Sequence, residues 1–133
     1  MMIVYLETSA AAKLLKREPE SAMVREFVAQ LIDDEHLVVT GRILETELRR
    51  VALRQGIEQA KATEVLGMLD VLEHDQPQFR QAGTVGGDQL RSLDALHLSS
   101  ALRVGADAMI TFDDRLERAC EMVGLPVLAV TGS

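Results

Sequence analysis

The sequence is poor in the residue types that cross-link a chain or stack on nucleobases. Its single cysteine, Cys120, excludes an internal disulfide and a cysteine-rich metal site. Tryptophan is absent and aromatic residues make up only 3% of the chain, so a base-stacking platform is not expected. No apolar run is long enough to span a bilayer, and Glu7 follows the first apolar stretch too early for a signal peptide. We therefore expect a cytoplasmic protein that does not enter a membrane.

Positive charge is also in short supply. The 133 residues include 14 Lys and Arg against 21 Asp and Glu, a formal net charge of −7. Phosphate binding normally relies on Lys and Arg, so a nucleic-acid substrate needs another source of positive charge. Divalent cations held in an acidic pocket supply that charge locally. The overall charge therefore does not exclude a nucleic-acid substrate.

The pattern of apolar residues predicts one α/β domain over residues 1–133, in which 47% of the residues are hydrophobic. Strands are predicted at 2–6, 37–39, 71–73, 108–112 and 127–130. Helices are predicted at 10–15, 19–32, 43–54, 58–69, from 77 onwards, at 93–104 and at 115–123. The predicted helix caps are Thr8 or Ser9, Ser92 and Asp113. Strands that are apolar throughout and alternate with helices are typical of a parallel sheet covered on both faces, a three-layer α/β/α fold.

Two carboxylates directly follow predicted strands, Glu7 after the first and Asp113 after a later one. In an open parallel sheet, ligands bind beyond the carboxyl ends of the strands, so these two groups can meet in one crevice. Asp113 alone is as readily explained as a helix cap. Glu7 has no such explanation, because glutamate is a weak cap and an unusual end for a buried strand.

Asp94 and Glu47 lie on predicted helices. The helix of Asp94 is apolar or small nearly all round, which predicts burial, and a buried carboxylate must be paired or bound to a metal. The alternative is a residue of the first turn that favours the helix dipole. Glu47 lies at the border of an inward helix face. Its alternative is an exposed glutamate paired with Arg50 or Arg54.

Four carboxylates in one pocket repel each other, so their pKa values rise unless cations neutralise them. Oxygen-only ligands favour Mg²⁺ or Mn²⁺, and no Cys/His spacing offers zinc an alternative. Such a set suits two-metal hydrolysis of a phosphodiester bond.

Four segments carry a family resemblance. They are Val4–Ala10 followed by Lys13-Leu14, then Glu47-Leu48, Leu90–Leu98 and Ile110–Asp113. In order and spacing they resemble the acidic motifs of PIN-domain ribonucleases, especially VapC-type toxins of toxin–antitoxin pairs. The resemblance covers nearly the whole chain, and the Asp94 segment is its most specific part.

The resemblance implies a central five-stranded parallel sheet and cleavage of RNA that depends on one or two Mg²⁺ or Mn²⁺ ions. It also implies a homodimer, inhibition by a cognate VapB-like antitoxin, and contact with operator DNA only through that antitoxin. The implied site consists of Glu7, Asp94 and Asp113 as metal ligands, Glu47 as the fourth acidic group, Thr8, Ser9 and Thr111 as orienting groups and Asp114 as an auxiliary ligand.

One position departs from the family pattern, which usually has aspartate where this chain has Glu7. The extra methylene moves the carboxylate by about one carbon–carbon bond, and Mg²⁺ tolerates little error in its octahedron. Three explanations stay open: a natural variant with repacked geometry, an attenuating substitution, or an inactive remnant. The alternative function is therefore a catalytically weak or inactive PIN module that acts mainly through its antitoxin.

The remaining polar residues allow two interpretations each. Arg42, Arg49, Arg50 and Arg54 form either a solvated face paired with Glu45 and Glu58, or a contact surface for the RNA backbone or an acidic antitoxin segment. Lys13, near Glu7, allows the same two interpretations. His97 is predicted to be a hydrogen-bonded core residue.

Two phosphoryl-transfer families are disfavoured. A response-regulator receiver requires paired acids after the first strand and a late lysine. Here Glu7 stands alone and no lysine follows Lys61. A haloacid-dehalogenase-type phosphatase requires an Asp-x-Asp that the sequence lacks after its first strand.

Overall fold

A computed structural model describes residues 1–131; Gly132 and Ser133, which the predicted domain includes, lie outside the described residues. In chain order the described elements are β1 (Ile3–Leu6), α1 (Thr8–Leu15), α2 (Ser21–Asp33), β2 (Leu37–Gly41), α3 (Ile43–Gln55), α4 (Gln59–Gly67), β3 (Asp70–Leu72), α5 (Gln76–Ala82), α6 (Ser92–Val104), β4 (Ala108–Ile110) and α7 (Asp114–Met122).

The strands form a parallel sheet in the order β3-β2-β1-β4, so β1 is central. Val4 pairs with Val38 of β2 on one side and with Ala108 of β4 on the other. The implied fifth strand is wrong for the described residues, because segment 127–130 makes only a single bridge, between Val127 and Met109. Pro126, directly before that bridge, has no N–H to extend a ladder.

The two faces of the sheet pack on different helices, which confirms the three-layer α/β/α arrangement. Val4 and Leu6 of β1 belong to a buried cluster with residues of α1, α2, α3 and α4. Tyr5, which points to the opposite face, belongs to a second cluster with Leu98 of α6 and Leu116 of α7. Helix α5 packs on α6. Among residues 1–131, no helix has the length and apolar character that crossing a bilayer requires.

The predicted helix ends are confirmed where glycine ends the helix. Gly56 after α3 and Gly105 after α6 have φ values of 67° and 71°, the left-handed conformation that glycine adopts without a Cβ penalty. Asp113 is confirmed as the N-cap of α7, because its Oδ1 accepts a hydrogen bond of 2.9 Å from the backbone N–H of Leu116.

Three predicted helix starts are wrong. Helix α1 is capped by Glu7, whose carboxylate accepts from the backbone N–H of Ser9, while Thr8 and Ser9 already belong to the helix. Ser92 is the first residue of α6 and not its cap. Helix α2 begins at Ser21, two residues after Pro19.

Candidate active site

The carboxyl ends of β1 and β4 place Glu7 beside the segment that follows β4. The backbone N–H of Glu7 donates to the carbonyl of Ile110 at 3.2 Å. The parallel hydrogen bonding of β1 and β4 therefore extends one residue beyond the end of β1. Because neighbouring parallel strands end at the same edge of the sheet, Thr111 and Asp113 lie at the edge where Glu7 lies.

The Glu7 carboxylate is buried, with 3% of the residue exposed, and both of its oxygens accept hydrogen bonds. Oε1 accepts from the hydroxyl of Ser9 and from the hydroxyl of Thr111, each at 2.6 Å. Oε2 accepts from the backbone N–H of Ser9 at 3.1 Å. Ser9 and Thr111 therefore hold this carboxylate through three hydrogen bonds, two of which come from hydroxyl groups that can rotate.

Glu47 projects from α3 and is held through one oxygen only. Its Oε1 accepts from the Thr8 hydroxyl at 2.7 Å and lies 2.6 Å from Nε2 of His97. Burial raises the pKa of Glu47, but the hydrogen bonds from His97 and Thr8 outweigh it, so that the pKa lies below its usual range. The alternative pairing with Arg50 or Arg54 does not occur among the described residues.

Asp94 lies in the first turn of α6, three residues before His97, and its side chain accepts no hydrogen bond from the residues described. Burial, followed by the charges of Asp113, Glu7 and Glu47, raises the pKa of Asp94 to about 6. The three other carboxylates therefore lie within electrostatic reach of Asp94. Among the four carboxylates, Asp94 alone accepts no hydrogen bond from the described residues.

Asp113 and Asp114 differ although they are neighbours. Asp113 is half-buried, its Oδ1 caps α7, and its backbone N–H donates to the Thr111 hydroxyl at 3.1 Å. Asp114 is exposed in the first turn of α7. We call the edge of the sheet that carries Glu7, Glu47, Asp94 and Asp113 the acidic edge. Asp113 belongs to it, whereas Asp114 lies on the solvent-facing surface.

A buried chain of hydrogen bonds lies behind Glu47. It confirms the prediction that His97 is a hydrogen-bonded core residue, whereas the links of His97 to Tyr5 and Glu47 were not predicted. His97 is fully buried, and its Nδ1 lies 2.7 Å from the hydroxyl of Tyr5. That hydroxyl accepts from the backbone N–H of Gly41 at 2.8 Å. A signal for this chain was present, since the only tyrosine lies in a buried strand, where its hydroxyl needs a partner.

The donor chemistry of this edge fits a hard divalent cation. Glu7, Glu47, Asp94 and Asp113 offer only carboxylate oxygens, and none of them is paired with a Lys or Arg among residues 1–131. Oε2 of Glu47, both oxygens of Asp94 and Oδ2 of Asp113 have no protein hydrogen bond in the described part. In this arrangement no three Asp, Glu, His or Cys side chains of residues 1–131 already form a metal-binding group. The glutamates are turned instead to their hydroxyl and imidazole partners.

Two of the four arginines in and directly before α3, Arg42 and Arg49, are paired with acidic side chains, whereas Arg50 and Arg54 are exposed. Arg42, which precedes α3, pairs with Glu45 at 3.0 Å and with Glu73, and Arg49 pairs with Glu45 at 3.1 Å. The predicted partner Glu45 is confirmed. The predicted partner Glu58 is wrong, because within the described part it pairs with none of them; Arg49 instead donates to Gln59 and Thr63, and Arg50 is exposed.

Lys13 of α1 lies close to the acidic edge without pairing to it. Its Nζ is 3.3 Å from Glu18 and 3.2 Å from Glu20, on the turn before α2. The same Nζ lies 5.4 Å from the centre of the Phe112 ring, one residue before Asp113. Lys13 therefore links the turn before α2 to the segment that carries Asp113.

Comparison with known proteins identifies relatives along the whole chain. The PIN domain family model matches residues 4–122. Ribonuclease VapC46 of Mycobacterium tuberculosis is 36% identical over 132 residues, which covers 97% of this chain and 98% of the relative. Ribonuclease VapC47 is 35% identical over 92% of this chain and 93% of the relative, and Ribonuclease VapC35 is 37% identical over 96% of both; both are from the same species.

Two solved structures share the fold at low sequence identity. Mycobacterium tuberculosis VapC20, described as a toxin that cleaves the sarcin–ricin loop, superposes with a TM-score of 0.72 at 15% identity, covering 94% of this chain and 98% of that chain. The VapBC2 structure from Rickettsia felis, bound to a DNA fragment from its promoter, gives a TM-score of 0.75 at 17% identity, covering 96% and 98%.

Proposed function

Since this chain belongs to the PIN-domain family and to the VapC ribonucleases within it, we propose that it cleaves RNA with a divalent ion held by Glu7, Asp94 and Asp113. The chain is an endoribonuclease, a hydrolase that acts on RNA. The observation that carries the proposed site is Asp94. Its half-buried carboxylate lacks any hydrogen-bond donor among the described residues, and burial together with the three other carboxylates raises its pKa.

One or two Mg²⁺ or Mn²⁺ ions, when bound, supply positive charge at the phosphate and increase the acidity of a bound water. The protein contributes the oxygens that have no internal partner, those of Asp94 and Oδ2 of Asp113. Glu7 contributes through lone pairs that its hydroxyl donors leave open, because a carboxylate oxygen accepts more than one contact. Glu47 completes the negative charge of the pocket.

Few surface Lys and Arg side chains are available to contact RNA. Arg50 is exposed, and it is the main proposed contact to the RNA backbone. Lys13, beside the segment that carries Asp113, is a second proposed contact, which contributes less because it is paired with Glu18 and Glu20. Arg42 and Arg49 are already paired with glutamates and contribute less. The divalent ions therefore replace the positive charge that the chain lacks.

A VapB-like antitoxin is the proposed inhibitor, supported by the similarity to a toxin solved with its antitoxin. A groove of about 980 Å³ between the α1–α2 region and α4 is proposed as its seat. Apolar side chains line it together with three cations, Arg17, Arg25 and Lys61, and three glutamates, Glu18, Glu58 and Glu64, so it suits an amphipathic segment that carries charges of both signs. The lining includes Leu14, Arg17, Ala22, Arg25, Ile57 and Val65.

We further propose a cytoplasmic homodimer that reaches operator DNA only through the antitoxin. Size-exclusion chromatography with light scattering tests the dimer. Gel-shift assays with and without the antitoxin test the indirect contact with DNA. Direct binding of the isolated toxin to operator DNA would contradict the proposal.

The experiment that tests the proposed function is cleavage of total RNA by the purified protein with Mn²⁺, with EDTA and with the Asp94→Asn variant. We expect cleavage with Mn²⁺ and none in either control. The Glu47→Gln variant is assayed in the same way. Its matched control is Glu45→Gln, because both residues lie on α3 and Glu45 faces Arg42 and Arg49. Persistent cleavage in EDTA contradicts metal dependence. No cleavage under any condition supports the inactive PIN module instead.

A further inference from the structure

We infer that His97 is a positioning residue, which the Tyr5 hydroxyl orients so that it fixes Oε1 of Glu47 and leaves Oε2 open to the acidic edge. This inference rests on the proposed divalent-ion site. It assigns a role to two buried residues that are not among the proposed metal ligands.

The hydrogen-bond partners define which nitrogen of His97 carries a proton. The Tyr5 oxygen already accepts from the backbone N–H of Gly41, and its own proton is then available for Nδ1 of His97 at 2.7 Å. Nε2 faces Oε1 of Glu47 at 2.6 Å, and a carboxylate oxygen only accepts. Nε2 also lies 2.9 Å from the Thr8 hydroxyl, which donates its own proton to Glu47 and can therefore only accept from Nε2. We therefore place the imidazole proton on Nε2, where it is donated to Glu47.

The position of Tyr5 is itself fixed by close packing. A Cβ built at Gly41 would lie 2.8 Å from the Tyr5 hydroxyl and 3.0 Å from Oγ of Ser100. Glycine at this position lets the end of β2 approach the phenol closely enough to donate its N–H. Tyr5 and His97 are both fully buried, and their rings meet edge to face at 5.7 Å.

This arrangement determines which oxygen of Glu47 remains available. Thr8 and His97 both approach Oε1, and Oε2 has no partner among the described residues. Because the His97 imidazole is fully buried, it cannot move with the Glu47 carboxylate towards solvent. Its hydrogen bond therefore keeps Glu47 in one orientation. The inference therefore makes Oε2 of Glu47 a further oxygen that faces the ion, and residues that orient such a ligand typically contribute about 10- to 100-fold to metal affinity.

The test compares two substitutions that keep different ends of the imidazole. In His97→Gln the terminal amide nitrogen falls near the position of Nε2 and can still donate to Glu47. In His97→Asn the shorter side chain reaches only towards Tyr5. Tyr5→Phe removes the hydroxyl but keeps the ring. His36→Asn is the matched control, because His36 accepts from the N–H of Met2 and takes no part in the acidic edge.

The measurement is the Mn²⁺ dissociation constant of each protein by calorimetry, together with its melting temperature in EDTA. We expect His97→Asn to weaken Mn²⁺ binding by about 10-fold or more and Tyr5→Phe by about 3-fold or more. We expect His97→Gln to stay within about 3-fold of the unsubstituted protein, and His36→Asn to bind Mn²⁺ unchanged.

A purely structural role gives a different result. His97→Gln and His97→Asn would then lower the melting temperature without separating in Mn²⁺ affinity, and that outcome overturns the inference. If His97→Asn does not fold, wild-type affinity in Tyr5→Phe overturns it equally. Absence of Mn²⁺ binding by the unsubstituted protein overturns the divalent-ion proposal as well, whereas normal binding by all variants overturns the inference alone.

Discussion

The two glutamates of the acidic edge are held in opposite ways. On the Glu7 side, which comprises Glu7, Ser9 and Thr111, hydroxyl groups engage the carboxylate, and both oxygens accept hydrogen bonds. On the Glu47 side, which comprises Glu47, Thr8, His97 and Tyr5, one oxygen accepts twice and the other has no partner in the described part.

The difference indicates which glutamate adjusts when a cation enters. Hydroxyl groups rotate at little cost, so Glu7 can share its oxygens between Ser9, Thr111 and an ion. The imidazole of His97 is fully buried and cannot turn, so Glu47 keeps its orientation. The Glu7 side is adaptable and the Glu47 side is rigid.

The comparison also explains why glutamate fits at position 7. Its carboxylate accepts from the backbone N–H of Ser9 as the N-cap of α1 and reaches the hydroxyl of Thr111 across the strand edge. The longer side chain therefore serves the helix end and the acidic edge at once.

The largest expected effect comes from removing the carboxylate of Asp94, which accepts no hydrogen bond from the described residues. Asp94→Asn deletes a proposed metal ligand, so we expect Mn²⁺-dependent RNA cleavage to fall by at least about 100-fold, more than the loss of an outer partner. Cleavage is measured with total RNA under excess enzyme. Asp114→Asn, on the exposed surface of the same edge, is the control and should retain activity. Equal losses in both variants would contradict the assignment.

An intermediate effect separates the two sides directly. Thr111→Val removes a hydroxyl that holds Glu7, and we expect cleavage to fall by about 10-fold. Thr8→Val removes one of two donors to Oε1 of Glu47, and we expect a loss of about 3-fold, because His97 remains. Initial cleavage rates at saturating Mn²⁺ decide the order. A larger loss in Thr8→Val than in Thr111→Val contradicts the rigid Glu47 side.

An increase in RNA cleavage is expected when the side chain at position 7 is shortened. Glu7→Asp restores the residue that the family usually has, and its carboxylate withdraws from Thr111 towards the open pocket. We expect cleavage with Mn²⁺ to rise by about 2- to 5-fold, about 1 kcal/mol or less in transition-state stabilisation. The same RNA assay measures it. If the substituted protein cleaves no better, or worse, the site has adapted to glutamate.

The smallest effect concerns stability without metal. The pKa of Asp94 is about 6 in the folded protein and about 4 in an unfolded chain, so the folded state binds more protons between these values. Its contribution to stability is therefore fully present below about pH 4 and is lost as the pH rises towards 6 and above. In EDTA at about pH 7, we expect Asp94→Asn to melt about 1–4 °C higher than the unsubstituted protein.

The difference between the two proteins should shrink at about pH 4.5, where Asp94 is largely protonated in the folded state. Thermal unfolding followed by circular dichroism at both pH values measures it. An Asp94→Asn variant that melts lower at about pH 7 would show that the carboxylate is stabilised by a partner.

Sequence patterns predicted most elements but not how each one starts or ends. The apolar runs predicted β1, β2 and β4, and glycine predicted the ends of α3 and α6. Caps were less predictable, because Glu7 caps α1 only through its position at the sheet edge. The predicted fifth strand was wrong because segment 127–130 pairs with β4 through a single bridge at Val127. An apolar run indicates a buried segment but does not determine how many of its residues pair.

The carboxylates of the acidic site could be predicted from the sequence, but the residues that hydrogen-bond to them could not. Residues that follow strands in a parallel sheet must meet at one edge, which is why Glu7 and Asp113 could be proposed from their positions alone. The Tyr5–His97–Glu47 chain joins residues separated by 92 and 50 positions. No local pattern in the sequence encodes such distances.

By itself, the sequence determined the layers of the fold, the sign of the charge at the acidic edge and the family, because periodicity, residue type and motif spacing are local properties. Only the tertiary structure decided which oxygen of each carboxylate is engaged, because hydrogen bonds depend on angles and distances between side chains from different elements. Those contacts make one glutamate adaptable and the other rigid.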